Sequence, residues 1–298
     1  EVHRDVFCDP ELFDMEMRTI FESGWVFVCL ASQLPEPFDF HCTRIGRRSV
    51  MVTRDGDGEL HCFLNTCRHR GMTLRQSECG NYQFHVCDYH GWAYDSKGRN
   101  IDIKDHEAGV YPESFEKRNH DLLPVARFAA YRDLLFASLS PDVPPLEEYL
   151  GDARVFIDLV FDQGGEGMEL VPGRSRYTYD ANWKFQLDNG TDAYHLTSTH
   201  RSFARVVQRR AVGESENKQV KSPDFKSRFV MDAGMFTLEN GHTVLWADHP
   251  TPEDQPVYSD IDGLRQRVGQ VRAKWMVRQR NLTIFPNLQL ADSSSLIL

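Results

Sequence analysis

Two short clusters of cysteine and histidine constrain the fold of this chain more than any other feature. Cys67-x-His69 and Cys87-x-x-His90 are separated by 17 intervening residues in a chain of 298. Thiolate and imidazole groups are ligands for zinc and for iron, so two separate loops must meet if both clusters bind one metal group. The candidates are a structural zinc ion and a two-iron, two-sulfide cluster.

The composition of each cluster favours the iron–sulfur alternative. Zinc sites usually draw a pair of cysteines from one short segment, whereas here each segment supplies one cysteine and one histidine. In a two-iron cluster, one iron can take both thiolates and the other both imidazoles. Replacing two thiolates by neutral histidines raises the reduction potential from about −400 mV to roughly −150 to +300 mV.

Charge and cysteine usage exclude several other classes of protein. Asp and Glu outnumber Lys and Arg by 44 to 34, for a net charge of −10, so we expect no nucleic-acid partner. No apolar run is long enough to span a bilayer, and no secretory segment opens the chain, so we expect no membrane association. Seven cysteines without framework spacing predict reduced thiols and a cytoplasmic location.

The distribution of turns and periodic segments predicts an α+β protein. Asp9 and Pro10 mark the start of an N-terminal helix. Short β-prone runs follow from about residue 38, and "DGDG" at 55–58 predicts a hairpin turn between two of them. A proline-containing stretch at 140–151 marks a boundary. Beyond it we predict strands, among them "SRYTYD", "HTVLWAD" and "LTIFPNLQL", with helices at 182–200 and 259–280, and a polar surface loop at 217–228.

A second constellation lies in "NWKFQLDNGTDAYHLTSTH", residues 182–200, which contains Asn189, Asp192, His195 and His200. Two histidines so close together suggest a metal site. On an ideal helix, however, they would point about 140° apart, because successive residues turn by roughly 100°. They can bind one ion only if the helix is interrupted between them, and otherwise each histidine packs separately.

Together these residues carry a family resemblance. "CRHRGMTL" and "CDYHGWAY" resemble the ligand loops of a Rieske [2Fe–2S] domain, and Asp-x-x-Tyr-His-x4-His resembles the mononuclear iron segment of the Rieske non-haem iron aromatic-ring-hydroxylating oxygenases, in their large (alpha) subunit. Segments such as "ENGHTVLW" and "RNLTIFPNL" are most similar to the benzoate and anthranilate 1,2-dioxygenase type.

The resemblance implies both a fold and a set of site residues. An antiparallel β Rieske domain (38–150) would be inserted into a helix-grip (START-like) catalytic domain, made of an N-terminal helical part (1–37) and of 151–298 without its C-terminal portion. Cys67, His69, Cys87 and His90 would bind the cluster, and His195 and His200 would bind Fe(II). A third, carboxylate ligand is expected beyond Leu298, since Asp292 does not match its position. Asp192 and Asn189 are the implied catalytic residues, and Trp92 would cover the cluster.

The resemblance also implies an activity and partners. The family activates dioxygen at the mononuclear iron and cis-dihydroxylates an aromatic carboxylate. Electrons come from NADH through a reductase, sometimes with a ferredoxin. They pass from His90 of one subunit through Asp192 to the iron of the next, because the two centres of one chain are too far apart. An α3 trimer, or an α3β3 assembly with a small beta subunit, is therefore expected.

Three alternatives remain open from the sequence. The chain could monohydroxylate a salicylate-like ring, which the motifs do not distinguish from dihydroxylation. It could be a Rieske electron carrier without oxygenase activity, although the 195–200 histidine pair argues against this. It could also be a catalytically inactive ligand-binding homologue, which only the unmatched third ligand suggests.

Overall fold

The structure, a computed structural model, describes residues 2–164, 171, 173, 175–200, 202, 232–249, 252–291 and 295–297. The chain forms two compact units, Glu1–Tyr149 with Leu170–Gly173 and Leu150–Glu169 with Arg174–Leu298. Residues 1–37 lie in the first unit, and the domain limits that the sequence suggests stay predictions. Within the described ranges, no helix is both long and apolar enough to cross a membrane.

Antiparallel sheets and short helices make up both units, as the α+β prediction requires. The described strands of the first unit are β1 (Val26–Leu30), β2 (Asp39–Ile45), β3 (Arg48–Arg54), β4 (Leu60–Leu64), β5 (Cys79–Asn81), β6 (Phe84–Val86), β7 (Ala93–Asp95), β8 (Asn100–Asp102), β9 (Arg127–Tyr131) and β10 (Leu134–Ser138). Its helices are α1 (Asp5–Cys8), α2 (Pro10–Glu16) and α3 (Glu113–Glu116), and α4 (Leu146–Leu150) lies at the boundary between the units.

Local sequence explains how several of these elements begin. The Asp9 carboxylate accepts hydrogen bonds from the N–H groups of Glu11 (2.7 Å) and Leu12 (3.2 Å), and Pro10 occupies the first turn of α2. This confirms the predicted helix start, because an N-cap side chain satisfies N–H groups that lack a helical partner. The "DGDG" segment is the turn between β3 and β4, as predicted.

Three sheets of the first unit support the cysteine and histidine loops. Their strand orders are β1-β10-β9, β4-β3-β2-β5 and β6-β7-β8. Residues 65–78 connect β4 to β5, and residues 87–92 form the loop between the paired strands β6 and β7. A buried cluster lies beneath both loops and consists of Phe40, Met51, Phe63, Cys67, Leu74, Cys87, Trp92, Tyr94, Ile103 and Leu122.

The second unit contains one sheet of consecutive antiparallel strands. These are β11 (Ala233–Thr237), β12 (Thr243–Ala247), β13 (Gln279–Ile284), β14 (Leu288–Ala291) and β15 (Ser295–Ile297). Its described helices are α5 (Ala153–Phe161), α6 (Lys184–Thr191), α7 (Leu196–Thr199), α8 (Ile261–Val268) and α9 (Gln270–Met276). Helix α6 lies against β12 and β13, and this contact positions the 182–200 segment, which carries the second constellation, beside the sheet.

Several sequence predictions for the second unit need correction. The helix predicted at 259–280 is two helices, α8 and α9, because Gly269 adopts φ +84°, a left-handed value that ends a helix. "SRYTYD" forms no strand in the described structure, since an alternating pattern forms a strand only when a neighbouring strand pairs with it. "HTVLWAD" corresponds to β12, and "LTIFPNLQL" contains parts of β13 and β14. The 217–228 loop lies outside the described residues.

Candidate metal centres

The two loops that carry Cys67 and Cys87 have the same hydrogen-bond pattern. In each, the cysteine N–H donates to the carbonyl five residues later, Met72 or Trp92 (both 2.8 Å). The glycine four residues after each cysteine donates its N–H back to the cysteine carbonyl, at 3.0 Å for Gly71 and 2.9 Å for Gly91. These glycines have φ of +78° and +77°, values at which a side chain is strained. Glycine therefore permits both tight turns.

The two cysteines and the two histidines of these loops differ in burial. Cys67 and Cys87 are only 3% and 2% exposed, whereas His69 is exposed and His90 half-buried. The ring centroids of His69 and His90 lie 4.6 Å apart. The Trp92 indole is buried and stacks on His69 at 4.9 Å, with 9° between the planes. Trp92 therefore belongs to the buried core and also contacts His69, a predicted ligand.

Electrostatics distinguish the thiol pair from the imidazole pair. Burial raises the pKa of the Cys87 thiol, and a hydrogen bond with the adjacent Cys67 thiol raises it further. Desolvation lowers the pKa of His69, and the nearby His90 and Arg70 lower it further. A neutral imidazole is the form that binds a metal, and thiols lose their protons when they bind one.

This donor set fits a [2Fe–2S] group of the Rieske type. Two adjacent buried thiols suit one iron, and two adjacent imidazoles nearer the surface suit the other. The convergence of the two loops was predicted from the sequence, and the structure brings the two thiols next to each other and the two imidazoles next to each other.

In the second unit, Asp192 organises the segment that carries the histidines. Helix α6 ends at Thr191, and Asp192 has extended backbone angles, with φ −99° and ψ 121°. Its carboxylate accepts hydrogen bonds from the N–H of Tyr194 (2.6 Å), the N–H of His195 (3.3 Å) and Nδ1 of His195 (3.0 Å). The Tyr194 N–H, followed by the His195 contacts, lowers the pKa of Asp192. Asp192 thus caps the turn and orients the His195 ring.

The predicted helix is interrupted at Asp192, before both histidines, and not between them as the sequence suggested. His195 directly precedes the single turn of α7 and His200 directly follows it. Their Nε2 atoms lie 3.1 Å apart. Two nitrogens that each bind a metal at 2.0–2.1 Å, about 90° apart, would be separated by about 2.9 Å. The pair therefore fits two neighbouring positions on one metal ion.

A cavity of about 130 Å³ adjoins these histidines. Its lining residues are Asn189, Gly190, Asp192, His195, His200, Leu245, Asn281, Gln289 and Ala291. The structure thus brings together all four residues predicted in this segment. Asn281 and Gln289 were missed, because no spacing rule relates the strands β13 and β14 to α6. Gly190 was missed because it has no side chain to act as a ligand or a catalytic group.

Two further observations concern metal ligands and cavities. Across the described ranges, no group of three or more His, Cys, Asp or Glu side chains is arranged around a single ion. Asp292 lies outside those ranges, and the third iron ligand expected beyond Leu298 stays a prediction. A larger cavity of about 530 Å³, lined in part by His249, Lys274 and Arg278, contains none of the predicted site residues.

Comparison with protein families gives two matches. Residues 24–120 match the family described as Rieske [2Fe-2S] domain, and residues 168–292 match the family described as ring hydroxylating alpha subunit (catalytic domain). The first match contains all four cluster-loop residues, and the second contains Asp192, His195 and His200. Together the two families imply a Rieske cluster and a mononuclear iron.

Individual relatives agree with these matches. The chain is 42% identical over 291 residues to toluate 1,2-dioxygenase subunit alpha of Pseudomonas putida, and the aligned region covers 97% of this chain and 64% of that protein. It is 39% identical over 303 residues to the anthranilate 1,2-dioxygenase large subunit of Acinetobacter baylyi, covering 99% and 64%. A solved structure of naphthalene 1,2-dioxygenase with indole bound is similar, with TM-score 0.78 and 32% identity, covering 96% and 64%. The chain thus spans less than two thirds of the length of these relatives.

Proposed function

Because this chain belongs to the family of ring-hydroxylating alpha subunits that carry a Rieske domain, we propose that it is the terminal oxygenase component that cis-dihydroxylates an aromatic carboxylate. The observation that carries the proposal is the presence of two donor sets in one chain. One is the cysteine and histidine loops of the first unit, and the other is the His195–His200 pair. The identity to toluate and anthranilate dioxygenase subunits supports a benzoate-like substrate.

Each site residue has a stated role in this proposal. Cys67, Cys87, His69 and His90 would hold the cluster. His195 and His200 would hold Fe(II), which when bound supplies the activation of dioxygen. Asp192 keeps the proton on Nδ1 of His195, so that the lone pair of Nε2 is available to the metal.

The cavity beside the histidines supports a monocyclic substrate. Its volume is about 130 Å³, and a protein cavity of about 150 Å³ can bind benzene. Asn189 is exposed on α6 and lines this cavity, where its amide can form hydrogen bonds with a substrate or with water. In the proposal, the chain binds and orients one aromatic ring beside the metal.

Partners and location form part of the same proposal. The relatives are named as alpha or large subunits, so we propose an assembly of three such chains, alone or with a small subunit. A reductase, with or without a ferredoxin, would supply electrons from NADH, and His90 of one chain would contact Asp192 of the next. We also propose a cytoplasmic location, because seven cysteines without framework spacing suit a reducing compartment.

Metal analysis and turnover test this function. Protein purified without added metal should contain about three irons and two acid-labile sulfides per chain. With a reductase and NADH, it should convert a benzoate to a cis-dihydrodiol that contains both atoms of labelled dioxygen.

Other outcomes would contradict the proposal in distinct ways. Two irons to two sulfides without turnover would support an electron carrier. A phenolic product with one labelled oxygen would support monohydroxylation of a salicylate-like ring. Zinc without sulfide would overturn the assignment of the cysteine and histidine loops.

A further inference from the structure

Gln289 is a buried polar residue within an apolar strand. It is 4% exposed, and its neighbours Leu288 and Leu290 in β14 are buried as well. A buried amide without hydrogen bonds would be destabilising, so its partners define its role.

The Gln289 amide connects β14 to helix α6. Its Nε2 donates to the backbone carbonyl of Gln186 (3.2 Å) and to the hydroxyl of Thr283 in β13 (3.3 Å). Its Oε1 accepts from Nε2 of Gln186 (3.0 Å). One side chain thus binds both the main chain and a side chain of α6, and also the adjacent strand.

Gly190, near the C-terminal end of α6, is the counterpart of Gln289. Gly190 is buried, and a Cβ atom built on it would lie 1.8 Å from Nε2 of Gln289 and 2.5 Å from its Cδ. Glycine within a helix costs about 1 kcal/mol relative to alanine. The presence of glycine at position 190 is therefore explained by the Gln289 side-chain amide, which occupies the space that a Cβ atom would need.

Both residues adjoin the histidine pair. Gly190 stands two residues before Asp192, and Gly190 and Gln289 line the cavity that contains His195 and His200. We propose that Gln289 is a positioning residue, which holds α6 against the sheet and thereby sets where Asp192 and the two histidines lie. Gly190 leaves the space that the Gln289 amide needs for this contact. This inference rests on the proposed role of His195 and His200 as iron ligands.

A double-mutant cycle tests the pairing. The variants are Gly190→Ala, Gln289→Ala and the double variant, with Gln266→Ala, an exposed position on α8, as the control. Two readouts are measured on the full chain with the cluster loaded and the mononuclear iron removed. The first is Co(II) affinity by optical titration, and the second is hydrogen exchange of the α6 amides.

The effect of Gly190→Ala is expected to be harmful in the wild-type protein and neutral or favourable in the Gln289→Ala background. Gly190→Ala should weaken Co(II) binding by about 10- to 100-fold, the effect typical of losing an outer-shell contact, and should speed α6 exchange. In the Gln289→Ala background the same substitution should be neutral or protective, because alanine favours a helix once the space is free. Gln266→Ala should change neither readout, and the iron and sulfide of the cluster should stay constant throughout.

Two results would overturn the inference. One is unchanged Co(II) affinity and α6 exchange in Gln289→Ala or in Gly190→Ala, and the other is a double variant more impaired than Gln289→Ala alone. A wild-type chain that binds no Co(II) would instead count against the proposed function. In that case the hydrogen-exchange rates of the α6 amides alone decide whether Gln289 holds α6 against the sheet.

Discussion

Tyr94 is a residue whose environment links it to the properties of a cluster. Its side chain is fully buried, and its hydroxyl lies 3.4 Å from Sγ of Cys67 and accepts a hydrogen bond from the N–H of Arg68 at 3.0 Å. A thiolate bound to iron can only accept, so the tyrosine would donate to it. Hydrogen bonds to ligand sulfurs are among the factors that set the potential of iron–sulfur clusters.

We therefore expect Tyr94→Phe to form a cluster with a more negative midpoint potential, because the reduced state loses a hydrogen bond. An EPR-monitored redox titration measures this change. Tyr89→Phe is the matched control, since Tyr89 is 55% exposed, and its potential should equal that of the wild type. An unchanged potential in Tyr94→Phe would show that the hydroxyl does not act on the cluster.

A second residue-scale prediction concerns Asp192. Asp192→Asn should leave the cluster spectrum intact and reduce turnover by about 10- to 100-fold, because the amide no longer orients His195 as a carboxylate does. Stopped-flow turnover and the visible spectrum of the same sample measure both properties. Full activity would show that neither the orientation of His195 nor electron transfer depends on the Asp192 carboxylate.

The third concerns stability against acid. Burial raises the pKa of Asp55, but hydrogen bonds from His61 and from the N–H groups of Glu59 and Asp57 outweigh it and lower the pKa from 3.8 to about 2. A depressed carboxyl pKa stabilises the folded state above pH 4, and this stability is lost as the pH falls towards 2. Asp55→Asn should thus cost about 2 kcal/mol at pH 7 in chemical denaturation. It should cost much less at pH 2, and equal losses at both pH values would contradict the assignment.

At the scale of elements, the two ligand loops act as a matched pair. They share a hydrogen-bond pattern and a left-handed glycine, so each presents a cysteine to the interior and a histidine towards the surface. The regularity arises within each loop, whereas their convergence depends on the strands β4, β6 and β7 that carry them.

Gly91→Ala should therefore reduce the iron and sulfide content of the purified protein. A left-handed residue other than glycine costs about 1–2 kcal/mol, and here the strain falls on a ligand loop. Gly58→Ala is the control, because Gly58 has a similar φ of +89° in the turn between β3 and β4. It should lower stability but keep the cluster, and equal cluster loss in both variants would indicate general unfolding.

At the scale of the whole molecule, the proposal requires cooperation between chains. A Cys87→Ser chain lacks the cluster and a His195→Ala chain lacks the iron site, so each should be inactive alone. Trimers that are reassembled from an equal mixture should regain about one quarter of wild-type turnover. At each contact between subunits in the ring, the chance that one chain has an intact cluster and the next an intact iron site is about one quarter. Product formation after mixing measures the effect, and a mixture without activity would argue against electron transfer between subunits.

The sequence was most informative where chemistry is local. The Asp9 cap, the turn between β3 and β4, and the cysteine and histidine loops depend on residues a few positions apart, and all were predicted. The contact between Asp192 and His195 is also local, because the two residues are three positions apart. The position of the helix break near His195 was wrong, because the capping role of Asp192 ends α6 earlier than periodicity suggests.

The sequence by itself therefore determined which donors this chain possesses and the antiparallel α+β class that carries them. Only the tertiary structure decided that the Nε2 atoms of His195 and His200 meet at 3.1 Å. It also decided that Gln289, which alternation would place on a solvent face, is buried against Gly190. The physical reason is that spacing along the chain fixes contacts within a loop or a helical turn, whereas contacts between a helix and a strand about 100 residues away depend on how the two pack.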